Sequence, residues 1–357
     1  MNKFELVTIY PNQSIKDALK IINSNGLRSA VVVNKQLKLL GIINDGNIRR
    51  ALLKGALLSN KIQSFYSKEI IFFKKNEVKK SYLKQVLIKK NLNIIPIVNK
   101  NNKLVNFFSI LKISRKKFHK QGKSNILTVI MVGGKGTRLK PFTDVLPKPM
   151  VPIGDKSVLE HVIKKFLYHG MNKFIFTVQF KARIIKAYIR ELKPIINIKF
   201  NFIEEKKPLG TAGGLGLINK KIKKAFFVTN CDTIIKTDLN VIYSFHKENN
   251  NIITLVVATK EFKIPYGVCK TRNNGEFNNL TEKPTMNYLI NTGLYVLSPK
   301  ILKHIPKHKH FNFNELINLA KKKQFKIGLF PIEEDNWIDV GQWNEYKSSI
   351  RDLEKIM

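Results

Sequence analysis

A glycine-rich loop that directly follows an apolar segment restricts the fold of this chain more than any other feature. Residues 126–132 predict a buried strand, and Gly-Gly-Lys-Gly-Thr-Arg-Leu follows at 133–139. Glycines at such a turn let backbone N–H groups approach a phosphate closely. Leu139 stands where the dinucleotide-binding fingerprint has its third glycine, which excludes that class of site. The loop therefore predicts phosphate binding of another kind, although alone it would be only a turn.

The pattern after this loop predicts an α/β fold. A helix is predicted at 158–169, and five further apolar segments predict strands, with helices between most of them. This alternation indicates a mostly parallel sheet covered by helices on both faces. The predicted strands lie at 174–178, 199–203, 225–229, 252–258 and 293–297.

Residues 1–111 carry two half-repeats of a different pattern. Each half has an amphipathic helix followed by two apolar strands, with strands predicted at 30–33 and 39–43 in the first half and at 94–98 and 104–109 in the second. Neither half could bury its apolar face alone, so the two are predicted to pack together. We predict domains at 1–111 and 126–357, joined by a basic linker at 112–125.

Two cations accompany the glycine loop. Arg138 lies within it, and Lys148 follows in Leu-Pro-Lys-Pro-Met at 146–150. Backbone amides combined with Arg and Lys suit a triphosphate, whose high charge density calls for several charged donors. A second glycine-rich segment, Pro-Leu-Gly-Thr-Ala-Gly-Gly at 208–214, is predicted to form the other wall of the pocket; alone it would be an ordinary strand-to-helix connection.

Two carboxylates predict a magnesium site. Asp232 follows an apolar strand and would lie at its carboxyl end, where ligands bind in open α/β sheets. Asp339 lies in Trp-Ile-Asp-Val-Gly at 337–341. Mg²⁺ is typically held by one or two carboxylates plus substrate phosphates. The alternative for each residue is helix or turn capping, which for Asp339 alone would be favoured.

Two later segments supply polar groups for a sugar phosphate. Lys283, in Thr-Glu-Lys-Pro at 281–284, could neutralise a second phosphate. Glu282, Asn291 and Thr292 offer the donors and acceptors that sugar hydroxyls need. Lysine is the commonest residue of this chain, so Lys283 is significant only together with the other motifs.

Composition limits the partners and the compartment. The chain of 357 residues has 64 Lys and Arg against 25 Asp and Glu, a net charge of +39. Such an excess attracts polyanions, and nucleic acid is a rival partner. The lysines are spread over the whole length and no aromatic-interleaved basic groove stands out, which favours a solvated surface. The two cysteines, the lack of an apolar run of about 20 residues and the lack of a secretory signal predict a cytoplasmic protein without a membrane partner.

The motifs taken in order resemble those of the sugar-1-phosphate nucleotidyltransferases, over about residues 126–350. The resemblance implies a Rossmann-like fold of the GT-A type. It also implies a reaction in which a sugar-1-phosphate oxygen attacks the α-phosphorus of a nucleoside triphosphate and pyrophosphate leaves. The rival from another class is an inactive scaffold that only senses nucleotides.

The resemblance also assigns roles to the singled-out residues. Arg138 and Lys148 would stabilise the triphosphate and the departing pyrophosphate, Lys283 would clamp the sugar phosphate, and Asp232 and Asp339 would hold Mg²⁺. The implied sugar contacts are Glu282, Asn291 and Thr292. The implied nucleotide contacts are Gly133, Gly134, Gly136, Thr137, Gln179, Gly210, Thr211 and Gly213.

The first block resembles a tandem CBS (Bateman) module, most clearly at 41–50. Asn47 replaces the usual ribose-binding aspartate there, and the second repeat is degenerate. An adenine nucleotide at this pair and a homo-oligomer are the further partners that the resemblance suggests. A CBS pair ahead of a short transferase resembles bacterial guanylyltransferases that make GDP-sugars for surface glycans. The favoured substrates are GTP and glucosamine-1-phosphate, with mannose-1-phosphate, heptose-1-phosphate or another nucleotide-sugar product as alternatives.

Overall fold

The computed structural model describes residues 4, 6–25, 27–75, 80–90, 92–109, 124–218 and 222–341. Its internal contacts divide the chain into two compact units, Met1–Lys120 and Gln121–Met357. Most of the predicted linker at 112–125 lies outside the described residues. Among the residues that the structure describes, no helix is long and apolar enough to cross a membrane.

The N-terminal unit repeats one topology twice. The first half contains β1 (Thr8–Ile9), α1 (Ile15–Asn25), β2 (Ser29–Val33), β3 (Leu39–Asn44) and α2 (Asp45–Leu53), and the second contains β4 (Phe73–Lys74), α3 (Lys80–Lys89), β5 (Ile94–Val98) and β6 (Leu104–Ser109). In each half the middle strand pairs in parallel with the strand before it and antiparallel with the strand after it. The predicted half-repeats are therefore present as two matching three-stranded sheets.

The two halves of this unit exchange hydrogen bonds reciprocally. Leu39 N donates to Asn102 O at 2.9 Å, and Leu104 N donates to Leu37 O at 2.8 Å. Apolar residues of both halves share one buried cluster, which includes Val31 from β2. Each half thus covers an apolar face of the other, as the repeat predicted.

The C-terminal unit is built on a seven-stranded sheet with the order β11-β10-β7-β12-β17-β14-β18. All neighbouring pairs are parallel except the two that β17 makes with β12 and β14. This confirms the mostly parallel α/β sheet that the alternating pattern predicted. The strands are β7 (Ser124–Met131), β10 (Met171–Val178), β11 (Lys199–Glu204), β12 (Phe226–Asn230), β14 (Ile253–Lys263), β17 (Thr285–Leu297) and β18 (Ile327–Glu333).

Helices and small sheets surround the main sheet. The helices are α4 (Phe142–Val145), α5 (Val158–Tyr168), α6 (Ala182–Ile196), α7 (Gly210–Gly213), α8 (Leu239–Glu248) and α9 (Phe313–Lys322). The two-stranded sheets pair β8 (Pro152–Ile153) with β9 (Lys156–Ser157), β13 (Thr233–Ile235) with β19 (Trp337–Asp339), and β15 (Val268–Thr271) with β16 (Phe277–Thr281). Short 3-10 helices lie at Ile62–Ser64, Thr137–Leu139, Lys148–Met150, Gly214–Leu217, Asn273–Gly275, Pro299–His304 and Glu334–Asn336.

The main sheet is buried on both faces. Val129 and Ile130 are neighbours in β7 but belong to different apolar clusters, because successive side chains of a strand point to opposite faces. The cluster around Ile130 includes residues of α5, α6 and α8, and the cluster around Val129 includes residues of α9. A strand covered on both sides needs a nearly continuous apolar run, and segment 126–132 has one in which only Thr128 is polar.

Two strands extend well beyond their predicted ends. β14 continues to Lys263 and β17 begins at Thr285, whereas the apolar runs covered only 252–258 and 293–297. The added parts pair with each other through Lys263 and Thr285 and are largely exposed. These parts mix polar residues with exposed apolar ones such as Phe262, Tyr288 and Leu289, so they lack the continuous apolar run that marks a buried strand. We call these added parts, together with β15 and β16, the outer arm.

Candidate active site

The predicted nucleotide-binding segments lie at the same edge of the main sheet. β7 lies between β10 and β12, with Met131 opposite Thr177 on one side and Asn230 on the other. Because the three strands are parallel, the residues that follow them emerge at one edge. These residues are the glycine loop from Gly133, then Gln179, and then Asp232.

The central feature of this edge is an ion pair between Lys148 and Asp232. Asp339 joins it because β13 pairs with β19, placing Thr233 opposite Asp339, and Val340 N donates to Asp232 O at 3.1 Å. Gly341 marks where the three side chains meet. A Cβ on this glycine would lie 2.8 Å from a carboxylate oxygen of each aspartate and 3.4 Å from Lys148 Nζ.

Burial and charge act in opposite directions on Lys148. Burial would lower the pKa of its ammonium group, but Asp232 and, more weakly, Asp339 outweigh this effect and raise the pKa above its usual value. Lys148 is therefore a fixed positive charge at neutral pH. Burial, reinforced by the charge of Asp232, raises the pKa of Cys231 to about 12, so this thiol stays protonated and is not a nucleophile here.

The first glycine loop packs against both Lys148 and Gln179. Gly136 has a left-handed backbone with φ of 67°, and a Cβ there would lie 2.8 Å from Lys148 Cβ. Thr143 Oγ1 donates to Gly136 O at 2.9 Å and holds the turn. A Cβ on Gly133 would lie 3.2 Å from Gln179 Cβ. The loop thus brings the predicted base contact and the predicted phosphate contact to one place.

The remaining loop residues face outward. A Cβ built on Gly134 would meet no heavy atom within 4 Å. Thr137 and Arg138 are exposed in the short 3-10 helix Thr137–Leu139. Within the described part of the chain, Arg138 makes no ion pair with a carboxylate. An unpaired guanidinium beside a glycine loop suits an anionic ligand.

The second glycine segment is fixed by a buried carboxylate. Glu205 accepts a hydrogen bond from Leu209 N at 3.0 Å, and Gly214 packs against its side chain. Burial raises the pKa of Glu205, and the bond from Leu209 only partly counteracts it. Glu205 follows β11 and its N–H bonds Val178 O at 2.9 Å, so the segment lies at the same sheet edge.

Each of the three predicted nucleotide contacts in this segment packs against, or hydrogen-bonds to, another part of the protein. A Cβ on Gly210 would lie 2.6 Å from Asn312 Oδ1, and a Cβ on Gly213 would lie 2.9 Å from Lys309 O. Thr211 N donates to Asn312 Oδ1 at 3.1 Å, and Thr211 Oγ1 accepts from Phe313 N at 2.9 Å. Thr211 therefore ties the loop to the start of α9.

Thr292 corrects one of the sugar-contact predictions. Its side chain is buried, with 3% of the residue exposed, and Oγ1 donates to Val256 O at 2.9 Å. The hydroxyl is thus used within the sheet and is not presented to a ligand. Thr292 O instead accepts from Thr233 Oγ1 at 2.8 Å, which ties the segment to the residue after Asp232. Asn291 is exposed, and its Nδ2 donates to the hydroxyl of Tyr295 at 2.7 Å.

The structure does not bring Lys283 and Glu282 to the Lys148 site. Both lie on the outer arm, in the turn between β16 and β17. Lys283 Nζ is 4.0 Å from Glu282 Oε1, and both side chains are exposed. Glu282 Oε2 lies 2.9 Å from the point where a Cβ on Gly267 would be. In the described residues, neither makes an ion pair with Lys148, Asp232 or Asp339.

The residues around Gly341 fit a magnesium ion that is completed by substrate. They supply two carboxylates converging on one point. Across the residues that the structure describes, no group of three or more His, Cys, Asp or Glu side chains could hold a metal by itself. This is the pattern of Mg²⁺ sites that use one or two carboxylates and take their other oxygen ligands from phosphates and water.

Sequence reasoning gave no role to three residues of this edge. Gly341 stood in a quoted motif without a function, Glu205 is one acidic residue beside another, and Lys181 is one of many lysines. A glycine two residues after a predicted metal ligand was the only usable signal. Lys181 Nζ donates to the carbonyls of Asp144 and Val145, which lie 37 and 36 residues earlier. Glu205 is buried whereas Glu204 is exposed, a difference that the sequence does not reveal.

The comparison with known families agrees with the fold of the C-terminal unit. The model of the nucleotidyl transferase family matches residues 127–356, and the chain belongs to that family. The CBS domain model matches residues 1–54, which shows a CBS domain at the N-terminus.

Individual relatives carry related names. UTP–glucose-1-phosphate uridylyltransferase of Synechocystis sp. is 30% identical over 241 residues, which is 62% of this chain and 62% of the relative. Mannose-1-phosphate guanylyltransferase catalytic subunit beta of Xenopus tropicalis is 32% identical over 226 residues, 61% of this chain and 62% of the relative. The chain therefore spans about three fifths of the length of these relatives.

A solved structure covers the same unit. HddC from Yersinia pseudotuberculosis aligns with a TM-score of 0.51 and 28% identity, over 64% of this chain and 99% of that chain. HddC complexed with GMP-PN aligns with a TM-score of 0.50 and 27% identity, over 64% of this chain and 99% of that chain.

Proposed function

We propose that this chain is a sugar-1-phosphate nucleotidyltransferase. It joins a sugar-1-phosphate to a nucleoside triphosphate and releases pyrophosphate, giving a nucleotide-sugar. The observation that carries the proposal is the meeting of Lys148, Asp232 and Asp339 around Gly341, beside the glycine loop. Family membership and the names of the relatives support it.

The reaction brings two anions together, so charge neutralisation and alignment do most of the work. The sugar-phosphate oxygen forms a bond to the α-phosphorus as the bond to the departing pyrophosphate breaks. Lys148 and Arg138 offset the negative charge of the triphosphate and the leaving group. Asp232 and Asp339 would hold Mg²⁺, which supplies further positive charge to the phosphates when bound. Gln179, which packs against Gly133, would contact the base.

The residues proposed to bind the sugar-1-phosphate have less direct support. Asn291 is exposed and directly precedes Thr292, whose carbonyl accepts a hydrogen bond from Thr233 beside Asp232, so it remains our proposed sugar contact. Glu282 and Lys283 keep their proposed roles from the motif Thr-Glu-Lys-Pro. They belong to the exposed outer arm, and the clamp on the sugar phosphate would come from that arm.

The favoured substrates are GTP and glucosamine-1-phosphate, giving GDP-glucosamine. A CBS domain ahead of a short transferase resembles the guanylyltransferase of the legionaminic acid pathway, and this arrangement supports the choice. The GMP-PN complex of HddC and the guanylyltransferase names among the relatives favour guanine. The uridylyltransferase name of the Synechocystis relative makes UTP the first rival base. Mannose-1-phosphate and heptose-1-phosphate are the rival sugars.

The direct test is pyrophosphate release with Mg²⁺, each of the four nucleoside triphosphates and a panel of sugar-1-phosphates. We expect release that needs both substrates and is fastest with GTP and glucosamine-1-phosphate. Asp232→Asn and Lys148→Met should each lower turnover by about 10²–10³ while the fold is retained. Lys164→Met is the matched control, since Lys164 lies on α5 and its ion pair with Glu160, at 4.0 Å, joins two residues of that helix. Absence of release with every pair would favour the inactive scaffold instead.

Nucleotide binding by the N-terminal unit has less support than nucleotide binding by the C-terminal unit. Asn47 stands where an aspartate would hold a ribose. Its Oδ1 accepts from Asn44 N at 3.1 Å, and its Nδ2 donates to Ser67 Oγ at 3.1 Å. These bonds use the amide to start α2 and to hold the segment after that helix. We therefore propose a structural role for Asn47, and an adenine nucleotide at this unit would have to bind through other groups.

A further inference from the structure

We propose that Lys181 is a positioning residue that fixes the loop carrying Lys148. The inference rests on the proposed function, because it concerns the loop that would bind the triphosphate. Lys181 is not expected to touch the substrate. It acts through the backbone of residues 142–145, a segment that ends three positions before Lys148.

The contact consists of two hydrogen bonds from one ammonium group. Lys181 Nζ donates to Asp144 O and to Val145 O, each at 2.8 Å. Asp144 and Val145 are the last two residues of α4, and Val145 lies three positions before Lys148. Carbonyls at the end of a helix have no partner within the helix, so they need an external donor. A charged donor makes stronger hydrogen bonds than a neutral one.

The same corner of the fold also holds the start of the loop. Phe180 N donates to Gly133 O at 3.4 Å, and Gln179 packs against Gly133. The loop is thus attached at both ends to residues 179–181, which follow β10. Thr143 Oγ1 adds an internal bond to Gly136 O at 2.9 Å.

This attachment fixes the distance between Gln179 and Lys148, which the reaction needs. Gln179 is the proposed base contact, and Lys148 is the proposed contact for the phosphates. Lys181 joins the two because it follows Gln179 by two residues and holds the turn that leads to Lys148. Lys181 itself has a left-handed backbone with φ of 49°. Such a conformation is uncommon for a residue with a side chain, and it fits a position whose geometry is fixed by function.

The test compares Lys181→Met, Lys181→Arg and a control, Lys186→Met. Methionine keeps an aliphatic stem without a donor, whereas arginine can still donate to two carbonyls. Lys186 lies on α6, which begins directly after Lys181, and it pairs with Glu204 at the surface. Amide hydrogen exchange of peptides covering 133–148 is measured in the full-length protein, together with calorimetric binding of a non-hydrolysable GTP analogue with Mg²⁺.

We expect faster exchange in 133–148 and about ten-fold weaker analogue binding in Lys181→Met, with both restored in Lys181→Arg and unchanged in Lys186→Met. Unchanged exchange in Lys181→Met would overturn the inference, and so would weaker binding with no recovery in Lys181→Arg. If wild-type protein binds no nucleoside triphosphate analogue, the proposed function fails by itself. The exchange measurement then still decides whether Lys181 holds the loop.

Discussion

The ammonium group of Lys148 is bonded to the carboxylate of Asp232, one of the two aspartates that would bind a divalent cation. The same carboxylate oxygen lies beside Gly341, together with an oxygen of Asp339. A metal ion that binds these oxygens therefore competes with Lys148 for Asp232. The competition links metal binding to the release of a lysine that the triphosphate can then use.

This competition predicts the effect of Lys148→Met on metal affinity. Without nucleotide, the variant should bind Mn²⁺ more tightly than wild type, because the carboxylate pair has lost its internal cation. Calorimetric titration measures this directly. Lys140→Met removes an exposed lysine that pairs with Asp144 at 3.3 Å on the same loop, and it should leave Mn²⁺ affinity unchanged. Weaker binding in Lys148→Met would show that Lys148 does not compete for the site.

A methyl group at Gly341 should disrupt the carboxylate pair with little effect on the fold. Its Cβ would lie 2.8 Å from an oxygen of Asp232 and of Asp339, closer than real side chains permit, so the carboxylates must separate. We expect Gly341→Ala to lose Mn²⁺ binding and about 10²-fold or more in turnover. Its circular dichroism should match that of wild type. Wild-type Mn²⁺ affinity in this variant would mean that the two carboxylates do not act together.

Glu205 should make folding stability depend on pH. Burial raises its folded-state pKa above the ordinary value of 4.5, so the folded protein keeps this proton to a higher pH than the unfolded chain does. The associated stability is fully present below pH 4.5 and is lost as pH rises through the folded-state pKa. Glu205→Gln cannot ionise, and its amide oxygen can still accept from Leu209 N.

The measurement is the melting temperature of Glu205→Gln and of wild type from about pH 4 to pH 8, a range that spans the ordinary carboxyl pKa. The variant should gain stability relative to wild type as pH rises. Glu204→Gln changes the neighbouring exposed residue and should show no such trend. A difference between Glu205→Gln and wild type that is constant over the range would refute the account of Glu205.

Thr292 and Asn291 should separate structure from substrate binding. Thr292→Val removes the hydrogen bond to Val256 O, which should cost about 1 kcal/mol of unfolding free energy and leave the KM for sugar-1-phosphate unchanged. Asn291→Ala should raise that KM, and the loss of its hydrogen bonds with Tyr295 and Gly293 should also lower stability. Denaturant unfolding and steady-state kinetics distinguish the two effects. The opposite pattern would restore Thr292 as the sugar contact.

The arrangement of the main sheet was predictable because it depends on local hydrophobic pattern. Segment 126–132 is apolar except for Thr128, as is typical of a strand covered on both faces. Asp232 could be placed at the sheet edge because it directly follows such a strand. Its ion pair with Lys148 was not predicted, since 84 residues separate the two and the motifs implied only that both belong to one site.

Other features depended on partners that the sequence does not reveal. The hydroxyl of Thr292 looks available for a sugar until β14 supplies Val256 O beside it. The outer arm was not predicted because its strands mix polar residues with exposed apolar ones and so lack the apolar run of a buried strand. Lys181 cannot be distinguished from the other lysines by pattern, since its importance comes from two carbonyls about 36 residues earlier in the chain.

The proposed function depends on one metal–phosphate site, which is made by Asp232, Asp339 and Lys148. Crystals grown with Mn²⁺ and a non-hydrolysable GTP analogue would test it through the anomalous signal of the metal. We predict a peak bonded to oxygens of both aspartates and to the phosphates, with Lys148 Nζ moved from Asp232 to a phosphate oxygen. A metal bound to the phosphates without either aspartate, or a triphosphate bound away from the loop 133–139, would contradict the account.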